Sequence, residues 1–203
     1  MRAFVVAMER EAACVRPFLR NGDRLFVSGV GKVNAAAATA RAIAEGAAEV
    51  VNVGVCGGLD GEMACGEIYG VERAVEYDFD LSQVNGTAVG VLDESDTPYQ
   101  ALARPAEFAR FNWFRGWRTL ATGDRFGDSE ADYPLMRETL GAGLRDMEGA
   151  AVAHVCNRAK VPCAALKCVV NVVGRGSMVG QYAERRDRAL ARLREAMREW
   201  LDV

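Results

Sequence analysis

Apolar positions along this chain come in short runs that alternate with stretches of helical periodicity from one end to the other. The runs at 3–8, 50–55, 68–71 and 164–173 are partly β-branched and bounded by charge or glycine, which predicts strands buried on both faces. Between and around them, 10–20, 34–45, 129–140 and 148–160 read as helices. In the second helix Asn34 takes the N-cap and Gly46 the position just past the end. The stretch 181–201 brings Tyr182, Ala189, Leu190, Leu193, Met197, Trp200 and Leu201 near one stripe, with arginines and acids opposite. That is the pattern of a long amphipathic helix packed on a sheet. From 79 to 116 the pattern is least regular, with Gly86, Gly90, Pro98 and Pro105 among short apolar runs, as in segments that serve a site or a partner. No fixed-period repeat and no low-complexity linker interrupts the alternation, so one α/β domain over 1–203 is the economical reading. In such a sheet ligands bind beyond the carboxyl ends of the strands.

Composition narrows this picture. At 203 residues, half of them hydrophobic, the chain should bury roughly 70% of its unfolded surface and needs neither disulfide nor metal to fold. A mean hydropathy of -0.04 with 26% charged residues excludes a disordered chain. No apolar run reaches the roughly 18 residues of a membrane span, and the run at 3–8 is followed at once by Glu9, Arg10 and Glu11. The expectation is a soluble, cytoplasmic protein. The net charge of -3 is interspersed, so neither nucleic acid nor membrane is an expected partner. Arg185, Arg186 and Arg188, beside Glu184 and Asp187, read as a solvated helix face. The six cysteines, at 14, 56, 65, 156, 163 and 168, form no CxxC pair and read as reduced core residues. The single histidine, His154, has no ligand-spaced partner, so no metal site is expected, and its place inside a helix suits packing or capping.

Candidate chemistry collects at the strand ends. Three charges, Glu9, Arg10 and Glu11, follow the first strand directly. Ser28-Gly29-Val30-Gly31-Lys32-Val33-Asn34 and Asn52-Val53-Gly54-Val55-Cys56-Gly57-Gly58 are glycine turns that let backbone N–H groups approach a ligand. Arg145-Asp146-Met147-Glu148-Gly149 leads into a helix, and Asn171 closes the most hydrophobic strand. Each also has an ordinary role: Glu11 and Glu148 suit the first turn of a helix, and Asn171 suits a turn.

Taken together and in order, these segments resemble the nucleoside phosphorylase superfamily, with 5′-methylthioadenosine/S-adenosylhomocysteine nucleosidases as the nearest branch. The resemblance rests on Met8-Glu9-x-Glu11, the Ser28–Val33 turn, Asn52-x-Gly54-x-x-Gly57-Gly58-Leu59 and Thr122-Gly123-Asp124-x-Phe126. Most specific is Asp146-Met147-Glu148 with its His154-Val155-Cys156 continuation, followed by Val161-Pro162. It implies a single domain with a central, mixed, partly barrel-like sheet flanked by helices. It also implies a homodimer whose neighbouring subunit closes the substrate's 5′ pocket, and a cofactor-free hydrolysis of a purine nucleoside. By the same resemblance Glu148 accepts the ribose 2′- and 3′-hydroxyls and Met147 lies against the sugar. Phe126 stacks on the purine, the backbone around Gly127 reads its edge, and Val55 and Gly57 also bind substrate. Glu11 activates the attacking water, and Asn171 meets the base.

This chain departs from that pattern in three places. The segment between Glu11 and Ser28 is short, Val55 stands where the nucleosidases carry serine, and Asn171 stands where adenine-cleaving enzymes carry an aspartate. An amide cannot deliver a proton as a carboxylic acid can, and relatives acting on 6-oxopurines, futalosine hydrolases among them, carry asparagine there. A futalosine hydrolase or another 6-oxopurine nucleosidase or phosphorylase is therefore the alternative activity. The alternative of another class is a non-catalytic nucleoside-binding regulator. The Gly54 turn offers Asn52 and Val55 where hexameric phosphorylases present arginine and serine, which favours water over phosphate as nucleophile.

Overall fold

Strand ends gather around one opening because the sheet closes on itself. The structure, a computed structural model, describes residues 1–92, 97–126 and 132–202. Among them are β1 (Arg2–Val6), β2 (Arg24–Val27), β3 (Glu49–Gly58), β4 (Ile68–Glu76), β5 (Tyr99–Ala101), β6 (Phe114–Thr122), β7 (Leu144–Asp146) and β8 (Cys163–Val172). The helices are α1 (Glu9–Val15), α2 (Lys32–Ala44), the single turn α3 (Ser82–Asn85), α4 (Gly149–Ala159) and α5 (Met178–Leu201). Strands β3, β8, β4, β6 and β7 form a mixed, closed ring. Two of them change neighbour along one edge: β3 pairs β1 over Glu49–Asn52 and β7 at Gly57–Gly58, while β4 pairs β8 at Ile68–Gly70 and β5 at Arg73–Val75. Those changes let the ring close while β1 and β2 continue it as a parallel wing. The single-domain, barrel-like α/β architecture expected from the sequence is the one found.

The buried runs explain the layers. In β1, Phe4 and Val6 face α1 and α5, while Ala3 and Val5 face α2 and α4, so alternate side chains are buried on both sides. The apolar stripe of α5 seats Trp200 edge-on to Phe4, with ring centroids 6.0 Å apart, and to Phe108 at 4.9 Å. Phe108 belongs to a 3₁₀ turn, Ala106–Arg110, inside the irregular 79–116 segment, and is fully buried.

Several sequence expectations need correction. The helix expected at 10–20 stops at Val15 and tightens into a 3₁₀ turn, Arg16–Phe18, because Pro17 cannot continue it. Helix α2 begins at Lys32 behind Gly31, and Asn34 lies inside it, its amide donating back to the Val30 carbonyl. Gly46 does follow the end with φ +92°. In the 129–140 region residues 129–131 lie outside the described residues, and the described part holds a π-helical turn, Leu135–Thr139. Helix α5 starts at Met178, three residues before the expected 181, capped by the Ser177 hydroxyl accepting from the Gly180 N–H. Five of the six free cysteines are buried; Cys65 is only partly so.

Candidate active site

Glu11 is placed by the shape of the β1–α1 corner. Its Oε2 accepts from the Ala7 and Met8 N–H groups, both at 3.0 Å, closing the first turn of α1. Its Oε1 accepts from the Val55 N–H at 2.8 Å. The approach requires glycine at 54, because a Cβ there would lie 2.5 Å from Oε1. Only 2% of the residue is exposed, and burial pushes the carboxyl pKa up despite three backbone donors and the nearby Lys167.

Glu148 stands between β7 and α4 at the N-cap position, and its Oε1 accepts from the Gly31 N–H at 2.8 Å. Gly31 has φ +99°, a conformation glycine adopts freely, and this presents its N–H to the carboxylate. Burial first, then the negative charge of Asp146, push Glu148 up to about 7; Lys167 and the Gly31 N–H pull the other way.

Beneath these two acids lies a buried cation that the sequence reading did not single out. Lys167, in β8, is 1% exposed and its Nζ is 2.7 Å from Asp146 Oδ2. Asp146 also accepts from the Thr122 hydroxyl at 2.6 Å and the Gly149 N–H at 2.9 Å. Burial favours the neutral amine, but Asp146 and Glu148 outweigh it and hold the Lys167 pKa above its ordinary value. The available signal was a lysine inside a ten-residue strand that is otherwise apolar save for Asn171, where a charge is tolerated only if paired.

A cavity of about 450 Å³ opens at these strand ends, lined by Glu11, Val55, Gly57, Phe126, Met147, Glu148 and Asn171. Of the expected site residues, Gly127 lies outside the described residues. Helix α5 adds Met178, Val179 and Tyr182, and the Tyr182 ring meets Phe126 edge-on at 5.3 Å. Asn171 is 2% exposed; its Nδ2 donates to the Met178 carbonyl at 3.1 Å, and its Oδ1 lies 2.9 Å from where a Cβ on Gly57 would sit. Arg125 and Arg145 also reach the cavity wall. His154 does not line the cavity; its Nδ1 lies 3.3 Å from Glu76 Oε1. Among the described residues no group of three or more His, Cys, Asp or Glu could hold a metal ion, and no helix is long and apolar enough to cross a membrane.

Chemically, the cavity sets two buried carboxylates, each fixed by backbone donors, against an apolar wall with an aromatic ring at its rim. Comparisons with known proteins point the same way. Residues 22–201 match the model of a family described as the phosphorylase superfamily. An aminodeoxyfutalosine nucleosidase of Campylobacter jejuni is 30% identical over 158 residues, covering 74% of this chain and 68% of that protein. A 5′-methylthioadenosine/S-adenosylhomocysteine nucleosidase of Mycobacterium bovis is 29% identical over 211 residues, covering 83% and 79%. Among solved structures, a futalosine hydrolase mutant of Helicobacter pylori superposes with a TM-score of 0.88 at 20% identity, over 99% of this chain and 98% of that one. The Neisseria meningitidis 5′-methylthioadenosine/S-adenosylhomocysteine nucleosidase, in complex with methylthio-immucillin-A, superposes at 0.86 with 24% identity, over 100% and 99%. At those identities the superpositions speak for the fold alone.

Proposed function

The chain belongs to the phosphorylase superfamily, and from that membership and its cavity we propose that it is a purine nucleosidase that hydrolyses the N-glycosidic bond of a 5′-substituted purine nucleoside. The observation that carries this reading is the pair Glu11 and Glu148, both buried and both lining one apolar-walled cavity. Cleaving the bond between C1′ and the purine nitrogen builds positive charge on the ribose, which fixed carboxylates stabilise. Glu148, once ionised, accepts from the ribose 2′- and 3′-hydroxyls. Glu11 takes a proton from the attacking water as its oxygen bonds to C1′, the base leaves as an anion with the bonding electron pair, and the proton held by Glu11 is then passed through solvent to the departed base. Met147 lies against the sugar and Phe126 against the purine, with Val55 and Gly57 closing the floor. Lys167 balances the buried negative charge, so one carboxylate can ionise without leaving the site with several uncompensated acids.

Asn171 sets the preference for the base. One Nδ2 hydrogen is committed to the Met178 carbonyl, and the other is available to a ligand acceptor. A 6-oxopurine offers N7 and O6 as acceptors and gains negative charge as it leaves. Adenine gains most from an acid at this position, and its 6-amino group is itself a donor. Polar groups left unpaired by the wrong base cost about 1–3 kcal/mol, up to a hundredfold in discrimination. The protein therefore cleaves a hypoxanthine-type nucleoside at least as well as its adenine counterpart, and Asn171→Asp shifts the ratio toward adenine. Side-by-side kcat/KM for methylthioadenosine, adenosine, inosine and futalosine, by free-base release with and without phosphate, tests every part. A strict phosphate requirement overturns hydrolysis, a strong methylthioadenosine preference overturns the role of Asn171, and no release from any substrate leaves the regulatory reading.

Residues 1–203 act as one domain, in a homodimer. Val30, Phe126 and Val179 line the cavity yet are 45%, 50% and 53% exposed, an apolar rim suited to cover by a second subunit. Six free thiols suit the reducing cytoplasm.

A further inference from the structure

Lys32 and Asp124 stand in motifs that the catalytic reading leaves without a task, and the structure joins them through Asp78 and Glu76 at the end of β4. The Lys32 Nζ lies 2.6 Å from Asp78 Oδ1 and 3.2 Å from Glu76 Oε2. The Lys32 backbone N–H donates to Asp124 Oδ1 at 2.8 Å, and the Asp124 N–H donates to Asp78 Oδ2, also at 2.8 Å. His154 approaches the other oxygen of Glu76. The corner entering α2 is thereby tied to the ends of β4 and β6. Each tie adjoins the cavity: Gly31, next to Lys32, donates to Glu148, and Arg125, next to Asp124, lines the wall with Phe126.

We propose that Lys32 is a positioning residue: by clamping the Gly31 corner to Asp78, Glu76 and Asp124, it holds the Gly31 N–H on Glu148 and so sets ribose recognition. This rests on the assignment of Glu148 to the ribose. The clamp is an electrostatic one and half-shielded from water, since the side chains of Lys32 and Asp78 are each 17% exposed and that of Glu76 12%. A neutral side chain at 32 leaves Asp78 and Glu76 without the cation that joins them, with only His154 on the other oxygen of Glu76, and the corner that carries Gly31 is then released. Glu148 is faced by Asp146 from β7, Lys167 from β8, Glu11 from α1 and the Gly31 N–H from the start of α2. Of these only the Gly31 donor depends on Lys32.

The test compares Lys32→Met and Lys32→Arg with the unmodified protein. In Lys32→Met, nucleoside KM rises at least tenfold with a smaller change in kcat. The acid limb of kcat/KM moves to higher pH, because Glu148 has lost a donor that favours its charged form, and Lys32→Arg restores most of both. An unchanged acid limb and KM in a folded Lys32→Met protein overturns the proposal, as does an equal loss in kcat and in affinity for the free base. Where Lys32→Met fails to fold, Lys32→Gln, which keeps a donor without the charge, is read by the same criteria. If the unmodified protein cleaves no nucleoside, the functional reading fails, and the clamp is then tested by binding. A fall of at least tenfold in affinity for inosine relative to hypoxanthine in Lys32→Met supports it, and an unchanged ratio overturns it.

Discussion

At the scale of single residues, the cavity works by removing freedom from two acids. Glu11 has three backbone donors and no room to rotate, because the missing Cβ of Gly54 is the space its Oε1 occupies. Glu11→Gln keeps the size but loses the base and turns one oxygen that faces backbone N–H groups into a donor, so turnover should fall at least about 10²–10⁴-fold while binding of the free base changes little. Full turnover in that variant would remove Glu11 from the reaction. Gly54→Ala should act on the same group from the other side: the new methyl displaces the carboxylate, and single-turnover rates should drop without loss of the folded state by circular dichroism. Glu11 was legible as one of three charges directly after a buried strand, whereas Glu148 was singled out by the resemblance carried by its Asp146-Met147-Glu148 segment. Lys167 was hidden by the apolar run around it, and its partner Asp146 passed as part of a helix start. The Asn34 cap was misjudged for a local reason, since Gly31 with positive φ already turns the chain and starts the helix two residues earlier.

At the scale of elements, long strands buried on both faces announced themselves, and short ones, such as the three-residue β7, and half-exposed ones did not. β1, β3 and β8 are mainly apolar runs, interrupted only by Asn52, Lys167 and Asn171 inside them, whereas β2 is four residues with exposed Arg24 and Val27. β6 opens on Phe114-Arg115-Gly116-Trp117-Arg118, too polar to be read as a strand before its buried Leu120–Thr122 end. The last helix was read correctly from its stripe, and the stripe makes its own prediction. Trp200 contacts both Phe4 of the wing and Phe108 of the irregular segment, so Trp200→Ala should cost about 3–5 kcal/mol, measured as a lowered urea midpoint. A loss under 1 kcal/mol would mean that α5 is held chiefly by its first turns.

At the scale of the whole molecule, buried acids couple the site to pH. Glu148 binds its proton more tightly in the folded chain, up to about 7, than an ordinary carboxyl near 4.5. Its contribution to stability is therefore complete below about 4.5 and is lost as pH rises through about 7. Glu148→Gln should gain stability relative to the unmodified protein across that window, read as the difference in Tm at pH 4.5 and pH 7.5; a constant difference would contradict the shift. If Glu148 and Glu11 act as proposed, activity should rise with pH in the same window, because the proposed ribose contact needs ionised Glu148, with an acid limb that belongs to both groups jointly. Ring closure has a different bearing, on synthesis. β8 pairs with both β3 and β4 and follows every other described strand in the sequence, so a nascent chain carries two unsatisfied sheet edges until residue 172 has emerged. A polypeptide ending before β8 should therefore be no partial enzyme but an aggregating one, with protection by chaperones needed until β8 arrives.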